Sequence, residues 1–205
     1  MDDKTYPRIL SERSFEEWIP SCPVQIKKIK ISEDSKDSGI CAIVTSCVCG
    51  DIEIESYTAD ITLLDGRKQP VSVLENTVLH VGESEQIVCP ADKTVFAAAI
   101  IKSVRYASGV IWKNSNGSAG VKMPAQEIFW QTDPLYETVR IVCEGNVAAK
   151  YKPDTVDGAW RCACGQINLD GTKKCCGCEC TKEWLDTHLN TEYLQEQKKI
   201  ADEIG

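Results

Sequence analysis

The sequence predicts a mainly β protein: an immunoglobulin-like antiparallel β-sandwich, followed by a helix, a small zinc ribbon and a C-terminal helix. Three observations support this prediction. Short apolar runs recur between residues 22 and 114 at intervals of roughly ten residues, which is typical of antiparallel sandwiches. Six cysteines then cluster within residues 162–180. After them, apolar side chains return at the four-residue spacing of a helix.

Composition and charge narrow the classes of function. The chain has 205 residues, 42% hydrophobic and 26% charged, which is typical of globular domains. Its 31 acidic against 23 basic residues give a net charge of -8, so nucleic acids and anionic membranes are poor partners. No segment approaches the run of about 18 apolar residues that a membrane helix needs, and the polar N-terminus does not have the basic start and apolar core of a signal peptide. We therefore expect a cytoplasmic protein.

The chain divides into five predicted segments. They are an N-terminal arm with a short helix (1–21), a β-sandwich domain (22–123), a helix and linker (124–157), a zinc ribbon (158–180) and a C-terminal helical segment (181–205). In the arm, Ser14 and Glu17 have the spacing of a capping box, and Pro20 ends the predicted helical turn.

Within the sandwich domain, β-branched and apolar residues mark about seven strands. The run Ile40 to Cys49 suits a buried strand, and Asp65-Gly66 predicts a tight turn. Ala97 to Ile101 is compatible with helix by composition, but we place it in a strand. The remaining predicted strands lie at Val24–Ile31, Ile52–Leu63, Val71–Leu74, Val78–Val81, Ile87–Cys89, Val95–Tyr106 and Val110–Trp112.

Helix signals frame the cysteine-rich segment. Asp133-Pro134 has the form of a helix start, and Gly145 can end that helix. Residues 151–158 read as a linker into the cysteines. The C-terminal stripe continues to residue 200, and Asn190-Thr191 can divide it into two helices.

The twelve cysteines fall into two groups. Six are scattered singly, mostly within apolar runs, where free cysteine packs as a small hydrophobe: Cys22, Cys41, Cys47, Cys49, Cys89 and Cys143. The other six lie close together, and in a reducing compartment such a cluster indicates metal ligands. Two thiol pairs separated by a ten-residue loop can supply the four tetrahedral donors that Zn²⁺ requires.

The predicted ligands of one structural zinc ion are Cys162, Cys164, Cys175 and Cys178. Cys176 and Cys180 remain as spare thiols, which pack nearby or exchange with Cys175 or Cys178. A two-metal site with six thiolates, an iron–sulfur cluster and a ligand role for His188 are alternatives.

The spacing of the module resembles the Ran-binding-protein type of zinc finger. Trp160, Cys162, Cys164, Asn168, Cys175 and Cys178 follow that family's order, except that one residue separates the first cysteine pair where the family has two or more. The resemblance implies that Trp160 packs beside the metal hairpins and that Asn168 braces the turn.

Neither known binding mode of that family fits this sequence. RNA-binding members carry paired arginines at the positions of Gly171 and Thr172, and ubiquitin-binding members carry Thr-Phe at the positions of Gly165 and Gln166. The module also has few basic residues, and a four-thiolate zinc site adds about two negative charges. The sequence therefore indicates a protein partner rather than nucleic acid, and it leaves the partner and the oligomeric state open.

A wider resemblance covers most of the chain. The segments at residues 15–26, 109–112, 151–153 and 160–168 resemble uncharacterised proteins of Gram-positive anaerobic bacteria, which join a β-sandwich to a C-terminal zinc ribbon. The resemblance implies this architecture and a bacterial cytosolic setting, and it implies no activity.

The sequence favours a non-enzymatic interaction or adaptor protein. It has two histidines, His80 and His188, and neither a phosphate-binding glycine loop nor a His-Glu-x-x-His motif. Four thiols favour a closed structural zinc site, because catalytic zinc keeps an open position. The alternative is a thiol-based redox sensor in which oxidation of the clustered cysteines releases zinc.

Overall fold

The computed structural model describes residues 8–15, 17–33, 40–81, 85–89, 93–143, 149–156 and 158–204. It has 45% strand and 16% helix, and its sheets are antiparallel, so the prediction of a mainly β chain is confirmed. The chain forms two compact units. The first comprises residues 1–48 and 52–123, and the second comprises residues 49–51 and 124–205.

The first unit contains ten strands among its described residues. Two four-stranded sheets have the orders β1-β3-β4-β7 and β6-β5-β8-β9, while β2 pairs with β10. The strands are β1 Ile9–Ser14, β2 Glu17–Trp18, β3 Val24–Glu33, β4 Ile40–Val48, β5 Ile54–Leu64, β6 Pro70–Leu79, β7 Glu85–Cys89, β8 Phe96–Tyr106, β9 Ile111–Lys113 and β10 Val121–Lys122.

Both four-stranded sheets contribute to one hydrophobic core. Successive side chains of a strand point to opposite faces. In β5 the buried positions are therefore Tyr57, Ala59, Ile61 and Leu63, with half-buried residues between them. The other sheet supplies buried side chains to the same cluster, among them Val24, Ile26, Ile29, Ile31, Ala42 and Val44. Burial of these apolar faces is the main force that folds this unit.

Local turn chemistry fixes the hairpin between β5 and β6. The carboxylate oxygen Oδ1 of Asp65 accepts hydrogen bonds from the backbone N–H groups of Arg67 at 2.8 Å and Gln69 at 2.9 Å. This is the turn expected at Asp65-Gly66. The segment Ala97 to Ile101 lies within β8, so the β-sheet and not a helix takes up its backbone hydrogen bonds.

The N-terminal arm differs from its prediction. We expected a short helix after Ser14, but Ser14 ends β1 and Glu17–Trp18 form β2. The backbone N–H of Phe15 donates to the carbonyl of Lys27 at 2.9 Å, and β2 pairs with Val121–Lys122. These long-range backbone partners replace the bonds that a helical turn would make within itself.

The second unit combines one small sheet with three helices among its described residues. Its antiparallel sheet has the order β11-β12-β13. The elements are α1 Tyr136–Val142, β11 Asp154–Val156, β12 Ala159–Arg161, β13 Ile167–Leu169, α2 Lys182–His188 and α3 Thr191–Ile204.

Part of the predicted linker is therefore a strand. Residues 154–156 pair with β12, and the carboxylate of Asp154 forms an ion pair with the guanidinium of Arg161, whose side chain is 6% exposed. The segment extends the sheet because its backbone groups pair with β12 and the Asp154 carboxylate pairs with the buried guanidinium of Arg161. Leu169 at the end of β13 has a further backbone partner far along the chain, since its N–H donates to the carbonyl of Cys49 at 2.6 Å.

Side-chain-to-backbone hydrogen bonds lie beside the helix boundaries. Helix α1 begins two residues beyond the predicted Asp133-Pro134 start, and Asp133 Oδ1 accepts a hydrogen bond from the N–H of Leu135 at 2.8 Å. The predicted end at Gly145 lies outside the described residues. Helices α2 and α3 separate at Asn190, whose Oδ1 accepts from the N–H of Tyr193 at 2.8 Å. Within the described part of the chain, no helix is long and apolar enough to cross a membrane.

Ile61 tests the core of the first unit. We expect Ile61→Ala to lower the free energy of unfolding by about 2–5 kcal/mol, because the fully buried side chain would leave a cavity. Val78→Ala on the neighbouring strand β6 is the control, since Val78 is 57% exposed and its loss costs little. Urea unfolding measures both variants. Equal, small losses would contradict the assignment of Ile61 to the core.

Candidate metal centre

A tight turn after β12 presents the first pair of cysteines. The N–H of Cys162 donates to the carbonyl of Gln166 at 2.9 Å, and the N–H of Gly165 donates back to the carbonyl of Cys162 at 2.8 Å. Gly165 has a φ of 90°, a left-handed conformation that favours glycine. The chain can therefore change direction directly after Cys164, which keeps the thiols of Cys162 and Cys164 on the same side of the turn.

A second turn presents the other pair. The N–H of Cys175 donates to the carbonyl of Cys180 at 2.9 Å, and the N–H of Glu179 donates to the carbonyl of Cys175 at 2.8 Å. These bonds close a loop around Cys178. The two turns face each other because β12 and β13 form a hairpin whose far end leads to Cys175.

The four predicted ligand side chains lie together. All four Sγ atoms are within 4.8 Å of one another. The distance from Cys162 Sγ to Cys178 Sγ is 3.5 Å, and that from Cys164 Sγ to Cys175 Sγ is 3.6 Å. Zinc–sulfur bonds of about 2.3 Å place the corners of a tetrahedron about 3.8 Å apart. The arrangement could therefore hold a metal ion.

Protons compete with a metal at this cluster. Hydrogen bonds with Cys164 and Cys175, together with burial, raise the pKa of the Cys162 thiol. A hydrogen bond with Cys162 lowers the pKa of Cys164, but the bond with Cys175 and burial outweigh it and raise that pKa to about 12. Hydrogen bonds from these two thiols lower the pKa of Cys175. One thiolate is thus stabilised by neighbours that keep their protons.

Backbone donors also point at the sulfur atoms. The N–H of Gly177 donates to Cys175 Sγ at 3.4 Å, and the N–H of Cys178 acts on the same sulfur. The N–H groups of Cys164 and Gln166 favour the thiolates of Cys162 and Cys164, respectively. Such donors offset the excess negative charge that four thiolates would bring to one cation.

Asn168 and Trp160 join the two turns. Asn168 is fully buried; its Oδ1 accepts from the N–H of Cys176 at 2.9 Å, and its Nδ2 donates to the carbonyl of Gln166 at 3.1 Å. Trp160 is 2% exposed and donates its indole N–H to the carbonyl of Thr172 at 3.0 Å. Its ring belongs to the same hydrophobic cluster as Cys162 and Cys175.

The alternative ligands lie outside the four-sulfur cluster. Cys176 is exposed, with its Sγ directed to the carbonyl of Ile167 at 3.8 Å, and the Sγ of Cys180 lies 3.8 Å from the carbonyl of Thr181. The His188 ring stacks on Trp184, and its Nδ1 lies 3.0 Å from the carbonyl oxygen of Trp184. Of the six scattered cysteines, all but the half-buried Cys47 are buried.

Two supports of the site have no signature in the sequence. The side-chain amide of Gln126 donates to the carbonyls of Lys152 at 2.9 Å and Cys162 at 3.1 Å, which joins β12 to a segment 36 residues upstream. The ring of Tyr151 lies against the turn at Gly165, where a Cβ would meet Tyr151 Cε2 at 2.9 Å. A glycine after the second cysteine is visible in the sequence, but the residue packed against it is not.

In comparisons with known proteins, no family model, no curated protein and no solved structure matches the chain.

Gly165 tests the packing at the first turn. We expect Gly165→Ala to weaken metal binding by about tenfold or more, since it adds both left-handed strain and a clash with Tyr151. Gly171→Ala is the matched control, because Gly171 has a φ of 88° but nothing within 4 Å of the added Cβ. Competition with a coloured chelator measures the zinc affinity of both variants. Equal losses of zinc affinity in the two variants would show that backbone strain, and not the clash with Tyr151, weakens binding.

The pKa shifts predict how metal binding depends on pH. Cys162 and Cys164 hold protons at neutral pH, since the pKa of each is raised, and a bound cation must displace them. Between about pH 5 and about pH 8, we expect zinc affinity to rise with pH by about a hundredfold per unit or more, from at least two displaced protons. Chelator competition at several pH values checks this. A pH-independent affinity would contradict it, and Cys176→Ser should leave the slope unchanged.

Proposed function

We propose that the second unit binds one zinc ion, held by Cys162, Cys164, Cys175 and Cys178, which stabilises its fold. The observation that carries this proposal is the meeting of four sulfur atoms within 4.8 Å of one another. Soft thiolate donors at tetrahedral spacing suit zinc. The unit's short strands, with three residues each, bury little apolar surface, so metal binding would supply folding free energy.

We propose further that the protein is a cytoplasmic, non-enzymatic interaction or adaptor protein whose partner is another protein. Four sulfur donors complete a tetrahedral zinc site, whereas catalytic zinc sites keep one position open for water or substrate. The net charge of -8 disfavours polyanions as partners. A salt-sensitive shift on mixing the protein with RNA or DNA would contradict this assignment.

For the first unit we propose an immunoglobulin-like β-sandwich. The strand order supports it: β3, β4 and β7 occupy the positions of strands A, B and E, and β6-β5-β8-β9 have the order C′-C-F-G. Strand β1 then extends the first sheet beyond strand A. The shared hydrophobic cluster of the two sheets is the core such a sandwich requires.

For the second unit we propose a zinc ribbon similar to the Ran-binding-protein type of finger. Trp160 packs in the hydrophobic cluster that contains Cys162 and Cys175, and Asn168 bonds to both turns. These are the roles that the resemblance implies. The preceding strand β11 adds an edge to the hairpin.

A thiol-based redox sensor is the second candidate, and one observation favours it. Cys176 is exposed and lies between two of the proposed ligands in sequence, while Cys164 and Cys178 are partly exposed. Hydrogen peroxide could oxidise a ligand thiolate to a sulfenic acid, with release of hydroxide. A neighbouring thiol would then displace water to form a disulfide, and the zinc would leave.

Adjacent cysteines provide a matched pair for testing the zinc proposal. We expect protein purified without chelator to contain one zinc ion per chain, and Cys176→Ser to keep it. Cys175→Ser should lose the zinc and melt at a lower temperature, because Cys175 is buried in the sulfur cluster and Cys176 is exposed outside it. Elemental analysis and thermal unfolding measure these outcomes. Iron with a visible chromophore, or zinc retained by Cys175→Ser, would refute the proposed site.

Mild peroxide separates the two candidate functions. For a structural site, the ligand thiols stay unreactive and zinc stays bound. Zinc release that a thiol reductant reverses would instead support the redox sensor.

A further inference from the structure

A small cavity lies in the first unit beside the N-terminal arm. Its volume is about 30 Å³, and side chains from β2, β3 and β8 line it. The walls are largely apolar and include Phe15, Ile19, Ile26, Ala99 and Ile101. A water molecule needs about 10–15 Å³ of such space, so the cavity accommodates one to three water molecules.

Two buried polar side chains in the lining each have an atom without a hydrogen-bond partner among the described residues. Trp18 is 3% exposed and Gln25 is 4% exposed. Neither the indole N–H of Trp18 nor the Oε1 of Gln25 has a partner in the part of the chain that the structure describes. An unsatisfied buried donor or acceptor destabilises a fold, and buried polar groups are therefore almost always paired. Both residues border the same cavity.

The two groups are complementary in a way that identifies the occupant. One is a donor and the other an acceptor, and neither carries a charge. Among the described lining residues one is charged, Glu17, and its carboxylate accepts from Arg13 Nη2 at 3.5 Å. A neutral molecule that both accepts and donates therefore suits the site, and the volume restricts it to water.

We propose that this cavity binds an ordered water molecule, which accepts a hydrogen bond from Trp18 Nε1 and donates one to Gln25 Oε1. The water joins the arm strand β2 to the sheet strand β3, which do not pair with each other directly. The water-mediated bond adds to the backbone pairing of β2 with β10.

Nuclear Overhauser spectroscopy between protein and water tests the proposal on the intact chain. We expect the Trp18 indole proton, assigned by its loss in Trp18→Phe, to show a cross-peak to a long-lived bound water. The indoles of Trp160 and Trp112 are internal controls, because they donate to Thr172 at 3.0 Å and Ser21 at 3.4 Å. A Trp18 indole without this cross-peak in the folded protein would overturn the proposal.

Two variants test whether the cross-peak depends on the acceptor of Gln25 or on the loss of any buried polar group. Gln25→Met keeps the size of the side chain but removes the acceptor, so the cross-peak should disappear while the remaining spectrum stays folded. Thr94→Val removes a buried hydroxyl that also has no partner among the described residues but does not line the cavity, so the cross-peak should persist. A cross-peak that survives Gln25→Met would refute the bridge. If Gln25→Met fails to fold, the wild-type cross-peak alone decides.

Discussion

Four sulfur atoms within 4.8 Å of one another cannot all carry negative charge unless a cation lies among them. Either protons remain on most of the thiols, as the raised pKa values of Cys162 and Cys164 indicate, or a metal replaces them. The second unit is organised around this constraint. Its hairpin, its buried asparagine and its backbone donors all serve to bring the sulfur atoms together and to compensate their charge.

The two units rely on different sources of stability. In the first, alternating side chains of long strands bury a continuous apolar core, as in β5 with its 11 residues. In the second, the strands have three residues each, and the core contains cysteines together with Trp160 and a few leucines. Small cores bury a lower fraction of their surface, which explains why polar bridges such as Asn168 matter more there.

The features that the sequence revealed are those encoded by local pattern. β-branched and apolar residues marked the strand at Ile52–Leu63, which is β5, and the spacing of thiol pairs picked out the four cysteines that the fold brings together. The failures share one cause. Ser14 and Glu17 look like a helix start, and residues 154–156 look like a linker, until their strand partners far along the chain are known. Gln126, whose amide reaches Cys162, could not be found because side-chain bridges over 36 residues leave no periodic trace.

Residues 49–51 are separated in sequence from the rest of the second unit. They belong to the second unit although they lie between β4 and β5, and the Cys49 carbonyl accepts the N–H of Leu169. The second unit is therefore discontinuous in sequence. If residues 124–205 alone were moved into another protein, the N–H of Leu169 in β13 would lose its acceptor, the carbonyl of Cys49. Excision of the cysteine module at a single point in the chain would therefore divide the second unit.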